Sequence, residues 1–185
     1  MKATEGEGIG GGVGERFFRE TRHSRGKLGG GRLDWERQPP PIKTYPGAER
    51  VALPDPAPAE VDLWEALARR RSVRSFNAEP LSLPDLATLL WAGAGVSAVQ
   101  MGYALRTAPS AGALYPVETY VIAHRVDSLE PGAYHYAVLE RELERLRSGD
   151  LRLPVARAAL DQGIAAEAAA VFVWSAIWRR STWKY

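Results

Sequence analysis

Glycine and proline are concentrated in the first third of the chain, and this distribution limits where a folded core can form. Residues 1–60 hold 11 of the 18 glycines and 7 of the 13 prolines, with few apolar residues before Val51. Such a segment buries too little apolar surface to offset the entropy lost on ordering it. We therefore expect a flexible glycine-rich tail over residues 1–16, an N-terminal arm over residues 17–60 and a folded domain over residues 61–185.

A phosphate-loop spacing occurs within the expected tail. Gly6, Gly8 and Gly11 match the pattern G-x-G-x-x-G, which binds phosphate where it follows a strand and opens a helix. No strand-like run precedes these glycines, so we interpret them as part of a flexible tail.

From residue 61 onward the apolar pattern predicts regular secondary structure. The predicted elements are helices over 62–70 and 82–91, strands over 118–124 and 133–139, a helix over 153–163 and a strand over 168–178. We expect Leu63 and Leu67 to share one helix face, and Leu86, Leu89 and Leu90 to point inward. The last strand is the most apolar run, which is typical of a central buried strand. This order of elements predicts an α+β fold.

Composition narrows the chemistry that the chain can carry. The 185 residues include no cysteine, which excludes disulfides, thiolate zinc sites, cysteine nucleophiles and cysteine-ligated iron–sulfur clusters. Any redox chemistry must therefore come from a bound cofactor. The 24 basic and 22 acidic residues nearly cancel, which argues against a nucleic-acid partner.

The sequence shows no pattern for membrane insertion or secretion. No stretch approaches the roughly 18 consecutive apolar residues that a membrane span needs. The N-terminal region carries Glu5, Glu7 and several arginines without an apolar run. We therefore predict a cytoplasmic protein with no membrane partner.

Four arginines and a serine lie where the first predicted helix ends. They are Arg69, Arg70, Arg71, Ser72 and Arg74. A guanidinium group binds phosphate through paired charge-assisted hydrogen bonds, and a serine hydroxyl adds a neutral donor. The alternative is a solvated basic cluster that only complements the helix dipole.

Two further patterns could contribute to a site. The small residues of 109–113 would let backbone amides approach a planar ligand closely, and the alternative is an ordinary turn. Lys184 and Tyr185 could act as a proton-transfer pair, although two adjacent residues of these types carry no specificity by themselves.

The histidines do not indicate a metal site. They are His23, His124 and His135. They are far apart and lack the i, i+4 spacing of a helical metal pair, so we expect surface or strand positions and no bound metal.

Several motifs follow one another in a fixed order along the chain. They are RRSVRSF (70–76), PLSL (80–83), PSAGALYPVETY (109–120) and PGAYHY (131–136), preceded by TRHS (21–24), LDW (33–35), QP (38–39) and KTY (43–45). In this order they resemble the nitroreductase superfamily and, more narrowly, its SagB/ThcOx-type dehydrogenase branch. Members of that branch are flavin enzymes associated with azoline oxidation in peptide natural-product pathways. The resemblance covers most of the chain from Phe17 onward.

The resemblance implies a fold and a cofactor. The fold would be an α+β three-layer sandwich with a central mixed or antiparallel sheet flanked by helices, and FMN would bind at a homodimer interface. The FMN phosphate and the polar edge of the flavin would be held by Arg70, Arg71, Ser72 and Arg74.

The same resemblance implies the remaining site residues. The flavin would be lined from the partner subunit by Pro109, Ser110, Ala111 and Gly112. Lys184 and Tyr185 match the Lys-Tyr pair of azoline-oxidising members, in which the lysine would be the base and the tyrosine a proton donor or positioning group. No residue is assigned to a metal.

The resemblance implies an FMN-dependent oxidoreductase that transfers a hydride from an organic substrate to flavin. The most concrete substrate is an azoline in a ribosomal peptide, oxidised to an azole with the help of pathway partner proteins. One alternative is NAD(P)H-dependent nitro or flavin reduction. Another follows because family members continue beyond the Lys-Tyr pair: the chain would then be an N-terminal fragment without turnover, acting as a binding or scaffold partner.

Overall fold

The computed structural model describes residues 12–22, 32–57 and 60–185. It divides the chain into two units, Met1–Asp34 and Trp35–Tyr185. In the first unit, helix α1 spans Val13–Thr21. The Gly6–Gly11 pattern, most of the predicted tail, and His23 lie outside the described residues. The predicted domain boundaries stay predictions.

The second unit contains a five-stranded antiparallel sheet and a two-stranded hairpin. The strands are β1 (Arg50–Ala52), β2 (Val96–Gln100), β3 (Tyr103–Arg106), β4 (Val117–Ala123), β5 (Gly132–Ala137), β6 (Glu142–Ser148) and β7 (Ala170–Ala176). The sheet has the order β1-β6-β5-β4-β7, and β2 pairs with β3. Every neighbouring pair in the sheet is antiparallel.

Short helices accompany this sheet. They are α2 (Leu63–Arg69), α3 (Leu83–Ala94), α4 (Arg152–Ala158), α5 (Ile164–Glu167) and α6 (Trp178–Thr182), with 3-10 turns at Trp35–Arg37 and Ala111–Ala113. Antiparallel strands combined with helices confirm the predicted α+β class.

The core of this unit forms where α3 packs against the sheet. Leu86 and Leu90 of the helix and Val121, Tyr134 and Leu143 of the strands are fully buried. Burial of each such side chain contributes on the order of 2 kcal/mol. The same strands also carry the buried polar side chains of the candidate site.

One predicted core residue of α3 is misplaced. Leu89 is 50% exposed, whereas Ala87 is buried with Leu86 and Leu90. At 100° per residue, 86, 87 and 90 lie on one helix face and 89 lies well to its side. The prediction for Leu89 is therefore wrong.

The most apolar strand is confirmed, but its predicted central position is wrong. Strand β7 lies at the end of the described sheet, paired with β4. Its second half is exposed, and Trp174 retains 66% of its surface. An apolar run shows that a strand can be buried on both faces, but it does not show which neighbours are present.

Helix α2 is confirmed as a helix, but its expected apolar face is not buried. Leu63 and Leu67 are 66% and 56% exposed, and every residue of 60–80 is exposed. The segment from Ser72 to Phe76 forms no strand. Apolar spacing thus predicted the local conformation and not the packing.

Two further differences have local causes. The helix expected over 153–163 ends at Ala158, and a second helix starts at Ile164, because Leu160 and Asp161 adopt left-handed φ values of 58° and 59°. Strand β6 was missed because its sequence ELERLRS is rich in charge. It nevertheless buries one leucine and one glutamate.

Candidate functional site at Gly112

The segment between β3 and β4 is a strained turn. Gly112, Ala113 and Tyr115 have positive φ values of 64°, 52° and 42°. A non-glycine residue in this region costs on the order of 1–3 kcal/mol, and such strain often accumulates at functional sites. Ser110 Oγ accepts a hydrogen bond of 2.9 Å from the Tyr115 backbone N–H. The turn is therefore held by its own side chains.

The Lys184 and Tyr185 side chains lie against this turn. A Cβ added at Gly112 would lie 2.8 Å from Lys184 Nζ and 3.0 Å from the Tyr185 hydroxyl. The backbone N–H groups of both residues donate to the Ser181 carbonyl, which continues the turn of α6. Three of the predicted site residues are thus brought together from distant parts of the sequence. An ammonium group and a phenol side by side can hold or move a proton.

Arg180 anchors the helix that carries this pair. Its side chain is buried at 2% exposure. Its Nε donates to the Pro40 carbonyl at 2.9 Å, and one terminal nitrogen donates to the Tyr115 carbonyl at 2.8 Å and to Glu118 Oε1 at 2.5 Å. One guanidinium group therefore connects α6, the strained turn, strand β4 and the polypeptide before β1.

Glu118 belongs to a buried chain of charged side chains. His135 bridges two carboxylates, with Nδ1 2.8 Å from Glu144 Oε2 and Nε2 3.2 Å from Glu118 Oε2. Glu144 also accepts a hydrogen bond of 3.1 Å from Arg50. Burial alone would raise the pKa of Glu118, but hydrogen bonds from His135 and Arg180 outweigh burial and lower it. These bonds hold Glu118 charged beneath the turn.

This network was not predicted from the sequence. Arg180 and Glu118 were available as signals, because each is a charged residue at the edge of a predicted apolar strand. Charged residues are almost never fully buried unless they are paired, so neither could be recognised as buried without knowing its partner.

A second polar cluster lies beside His135 on the same sheet. Lys43 Nζ donates to the Tyr120 hydroxyl at 2.6 Å, and the Tyr45 and Tyr120 hydroxyls are 3.1 Å apart. Hydrogen bonding of Lys43 to Tyr120, and then to Tyr45, raises the pKa of Lys43. Burial would raise the pKa of Tyr120, but the bonds from Lys43 and Tyr45 lower it instead. The KTY motif thus packs onto strand β4.

Two cavities adjoin the strained turn. Cavity A, of about 630 Å³, is lined by aromatic and cationic side chains that include Trp35, Tyr103, Arg106, Arg180, Trp183 and Lys184. Cavity B, of about 600 Å³, is lined by residues that include Pro109, Ser110, Ala111, Thr119 and Trp174. Gly112 borders cavity A, while Arg106 and Tyr115 line both. The turn and Arg106 therefore lie at the wall that the two cavities share.

The predicted phosphate residues lie elsewhere. Arg70, Arg71, Ser72 and Arg74 follow α2 and are exposed, and none of them is among the described residues lining either cavity. Arg71 donates to the carbonyls of Ala68 and Arg70. The structure does not bring these arginines to the strained turn, and their role stays a prediction.

The described residues contain neither a candidate metal site nor a candidate membrane span. No group of three or more histidine, aspartate or glutamate side chains there could hold a metal ion. In the same part of the chain, none of the helices has the length and apolar character needed to cross a membrane.

The chain is similar to known proteins over the region that builds this site. The sequence model of the nitroreductase family matches residues 67–185. A candidate nitroreductase of Methanocaldococcus jannaschii, MJ1384, is 36% identical over 135 residues, which are 73% of this chain and 66% of that protein. The trifolitoxin operon protein TfxC of Rhizobium leguminosarum bv. trifolii is 28% identical over 155 residues, 71% of this chain and 44% of that protein.

A solved structure shows the same fold. The crystal structure of a candidate nitroreductase from Anabaena variabilis superposes with a TM-score of 0.68 at 26% identity, covering 92% of this chain and 33% of that one. The matched regions thus span 66%, 44% and 33% of the lengths of these three proteins.

Proposed function

Since the chain belongs to the nitroreductase family, we propose that it acts as an FMN-dependent dehydrogenase of the SagB/ThcOx type. The observation that carries the proposal is the convergence of Lys184 and Tyr185 on Gly112. This arrangement would place a proton acceptor and a proton donor beside a glycine turn that a planar ligand can approach.

The residues around the turn are suited to a flavin. Members of this family typically use one. Small side chains at Pro109, Ser110 and Ala111 leave cavity B, of about 600 Å³, open to a planar ring. The exposed guanidinium groups after α2 have the chemistry to hold its phosphate. When bound, the flavin would supply two-electron redox chemistry that no side chain of this chain can supply.

The protein's own residues would handle the proton and the geometry. In the neutral form, Lys184 Nζ would take a proton from the substrate carbon, and the Tyr185 hydroxyl would donate a hydrogen bond or a proton to the substrate. Arg180 would act as a positioning residue, because its buried hydrogen bonds fix α6 against the turn.

The proposed substrate is an azoline ring in a ribosomal peptide. Its oxidation to an azole removes two electrons and two hydrogens. One hydrogen would leave as the proton that Lys184 accepts, and the other would leave with both electrons as a hydride to the bound flavin. The similarity to a protein of the trifolitoxin operon supports a place in peptide modification. A homodimer and pathway partner proteins belong to the same proposal.

Reduction of nitro compounds by NAD(P)H is a second candidate. It is favoured by the 36% identity to the candidate nitroreductase MJ1384. In that reaction a nicotinamide would supply the electrons, and Lys184 would not need to remove a carbon-bound proton. A Lys184 variant therefore separates the two candidates.

The experiment compares wild type with Lys184→Ala and Lys184→Arg after loading with FMN and desalting. We expect all three proteins to retain flavin. Anaerobic bleaching of the flavin by a thiazoline peptide should then fall by about 10²-fold or more in both variants, because removal of a general base typically has this effect. Bleaching by NADPH should stay unchanged.

Two results would count against the proposal. Equal bleaching by the peptide in all three proteins would remove the base role of Lys184 and favour nitro reduction. A colourless wild-type protein would show that the chain does not hold flavin by itself, as expected of a binding or scaffold partner.

A further inference from the structure

Arg106 lies at the wall between the two cavities. It is the last residue of β3 and lines both cavities. Its guanidinium carbon is 4.7 Å from the centroid of the Tyr115 ring, a cation–π distance. Its backbone N–H donates to the Tyr115 hydroxyl at 3.0 Å. The ring and the guanidinium group therefore hold each other in place.

The guanidinium group of Arg106 has no anionic partner within the described residues. The carboxylate whose charge acts on it, Glu118, is already bound by Arg180 and His135. Burial lowers the pKa of Arg106; the Glu118 charge opposes this, and the positive charge of Arg180 lowers the pKa further. Arg106 is thus a partly desolvated cation that forms no direct ion pair within the described residues.

The rest of cavity A adds positive charge and apolar surface. Three cationic residues line it, Arg106, Arg180 and Lys184, and no aspartate or glutamate is among its described lining residues. A desolvated cation without a partner is unfavourable, and an anion entering such a cavity would relieve that cost. Apolar residues such as Ile42 and Leu105 form other parts of the lining.

We propose that Arg106 binds a carboxylate of the substrate in cavity A, and that the substrate joins this carboxylate to an apolar or aromatic body. The inference rests on the proposed function only in assigning cavity A, with Lys184, to the substrate. Arginine suits this role because its planar fork binds both oxygens of a carboxylate.

The phosphate of a flavin offers the same anionic chemistry from cavity B. Cavity A is the favoured location because Lys184 lines it together with Arg106, whereas Arg106 is the only charged residue among the described lining residues of cavity B. A substrate carboxylate and the flavin phosphate can be distinguished experimentally, because riboflavin lacks the phosphate that FMN carries.

The test measures binding of phenylacetate and of phenylacetamide, its neutral analogue, by isothermal titration calorimetry. Wild type should bind phenylacetate about tenfold more tightly than the amide, as expected for a charge-assisted hydrogen bond. Arg106→Gln should bind both equally, and Arg106→Lys should keep only part of the preference. The control Arg157→Gln changes an exposed arginine of α4 and should behave as wild type.

Any of the following outcomes would overturn the proposal. Wild type could bind the two probes equally, or the preference for phenylacetate could persist in Arg106→Gln. Alternatively, Arg106→Gln could weaken FMN tenfold while leaving riboflavin affinity unchanged, which would assign the residue to the flavin phosphate. If Arg106→Gln does not fold, full phenylacetate affinity in Arg106→Lys overturns it equally. A protein that prefers phenylacetate and retains no flavin would contradict the proposed function and leave this carboxylate site standing.

Discussion

Helices α2 and α3 begin in the same way and end in different surroundings. Asp62 caps α2 by accepting from the N–H groups of Trp64 and Glu65, and Ser82 caps α3 by accepting from Asp85. Both helices carry leucines at helical spacing. Among the described residues, α3 packs against the sheet, whereas no residue of α2 is buried. Caps and periodicity therefore specify a helix locally, while its stability depends on what lies opposite.

The difference matters for the proposed cofactor site. The turn at Gly112 and the helix with Lys184 are anchored by a buried ion pair. The arginines that would hold the phosphate follow α2, a seven-residue helix with exposed leucines. A helix this short is marginal without packing. Under the proposed function, the turn at Gly112 and Lys184 are already held in place before the cofactor binds. The arginines after α2 would gain their contacts only when the cofactor phosphate binds.

Breaking an ion pair should give the largest difference in unfolding free energy between the region around Gly112 and helix α2. Glu118→Ala leaves Arg180 buried without its carboxylate partner and leaves His135 with Glu144 alone. It should cost about 3–5 kcal/mol in the free energy of unfolding. The matched control, Glu65→Ala, removes an exposed pair with Arg69 and should cost less than about 0.5 kcal/mol. Urea unfolding monitored by circular dichroism measures both values. Equal losses would show that α2 is as firmly held as the core.

The apolar faces provide the next comparison. Leu90→Ala removes a fully buried side chain of α3 and should cost about 2–5 kcal/mol. Leu67→Ala makes the same change on α2, where the side chain is mostly exposed, and should stay within about 0.5 kcal/mol. Thermal unfolding of both variants checks this. A large loss for Leu67→Ala would contradict this prediction, because it would mean that another surface covers α2 in solution.

Removing the N-cap of each helix should give a smaller difference in stability. Ser82→Ala removes the cap of a packed helix and should destabilise the protein by about 1 kcal/mol. Asp62→Ala removes the cap of α2, and should unwind that helix locally without moving the global transition. Amide hydrogen exchange over 63–69, measured alongside the melting curve, separates the two effects. A matching shift in melting temperature for both variants would refute this prediction.

Acid should produce the smallest effect, because protonation removes the charge of Glu118 but leaves its side chain in place. The pKa of Glu118 is lowered below its ordinary value of 4.5. Its carboxylate therefore contributes stability above that value and loses this contribution as pH falls through the lowered pKa. Below about pH 4.5, wild type should lose stability more steeply than Glu118→Gln, which has no carboxylate there to protonate. Parallel stability curves for the two proteins would contradict this.

The sequence was sufficient for elements whose signals are local. The cap and apolar face of α3, the strand beginning near Glu118 and the strand containing His135 all follow from neighbouring residues. The position of Gly112 in a turn was also predictable, because small residues and proline surround it. These features need no knowledge of distant contacts.

The rest of the site depends on pairing between strands. His135 faces Glu144 because β5 and β6 pair in that register, and β6 was hidden by its charged residues. Cavity A needs walls from the arm at Trp35 and from the hairpin that ends at Arg106. Arg180 could be recognised as an anchor only once the Pro40 and Tyr115 carbonyls were located. Contacts of this kind are set by topology and not by local pattern.

The most direct test of the central proposal is a crystal structure of the protein grown with saturating FMN. We predict density for the flavin ring against Pro109–Gly112, with Lys184 Nζ beside it. Flavin bound away from the strained turn, or no flavin density at saturating concentration, would contradict the account.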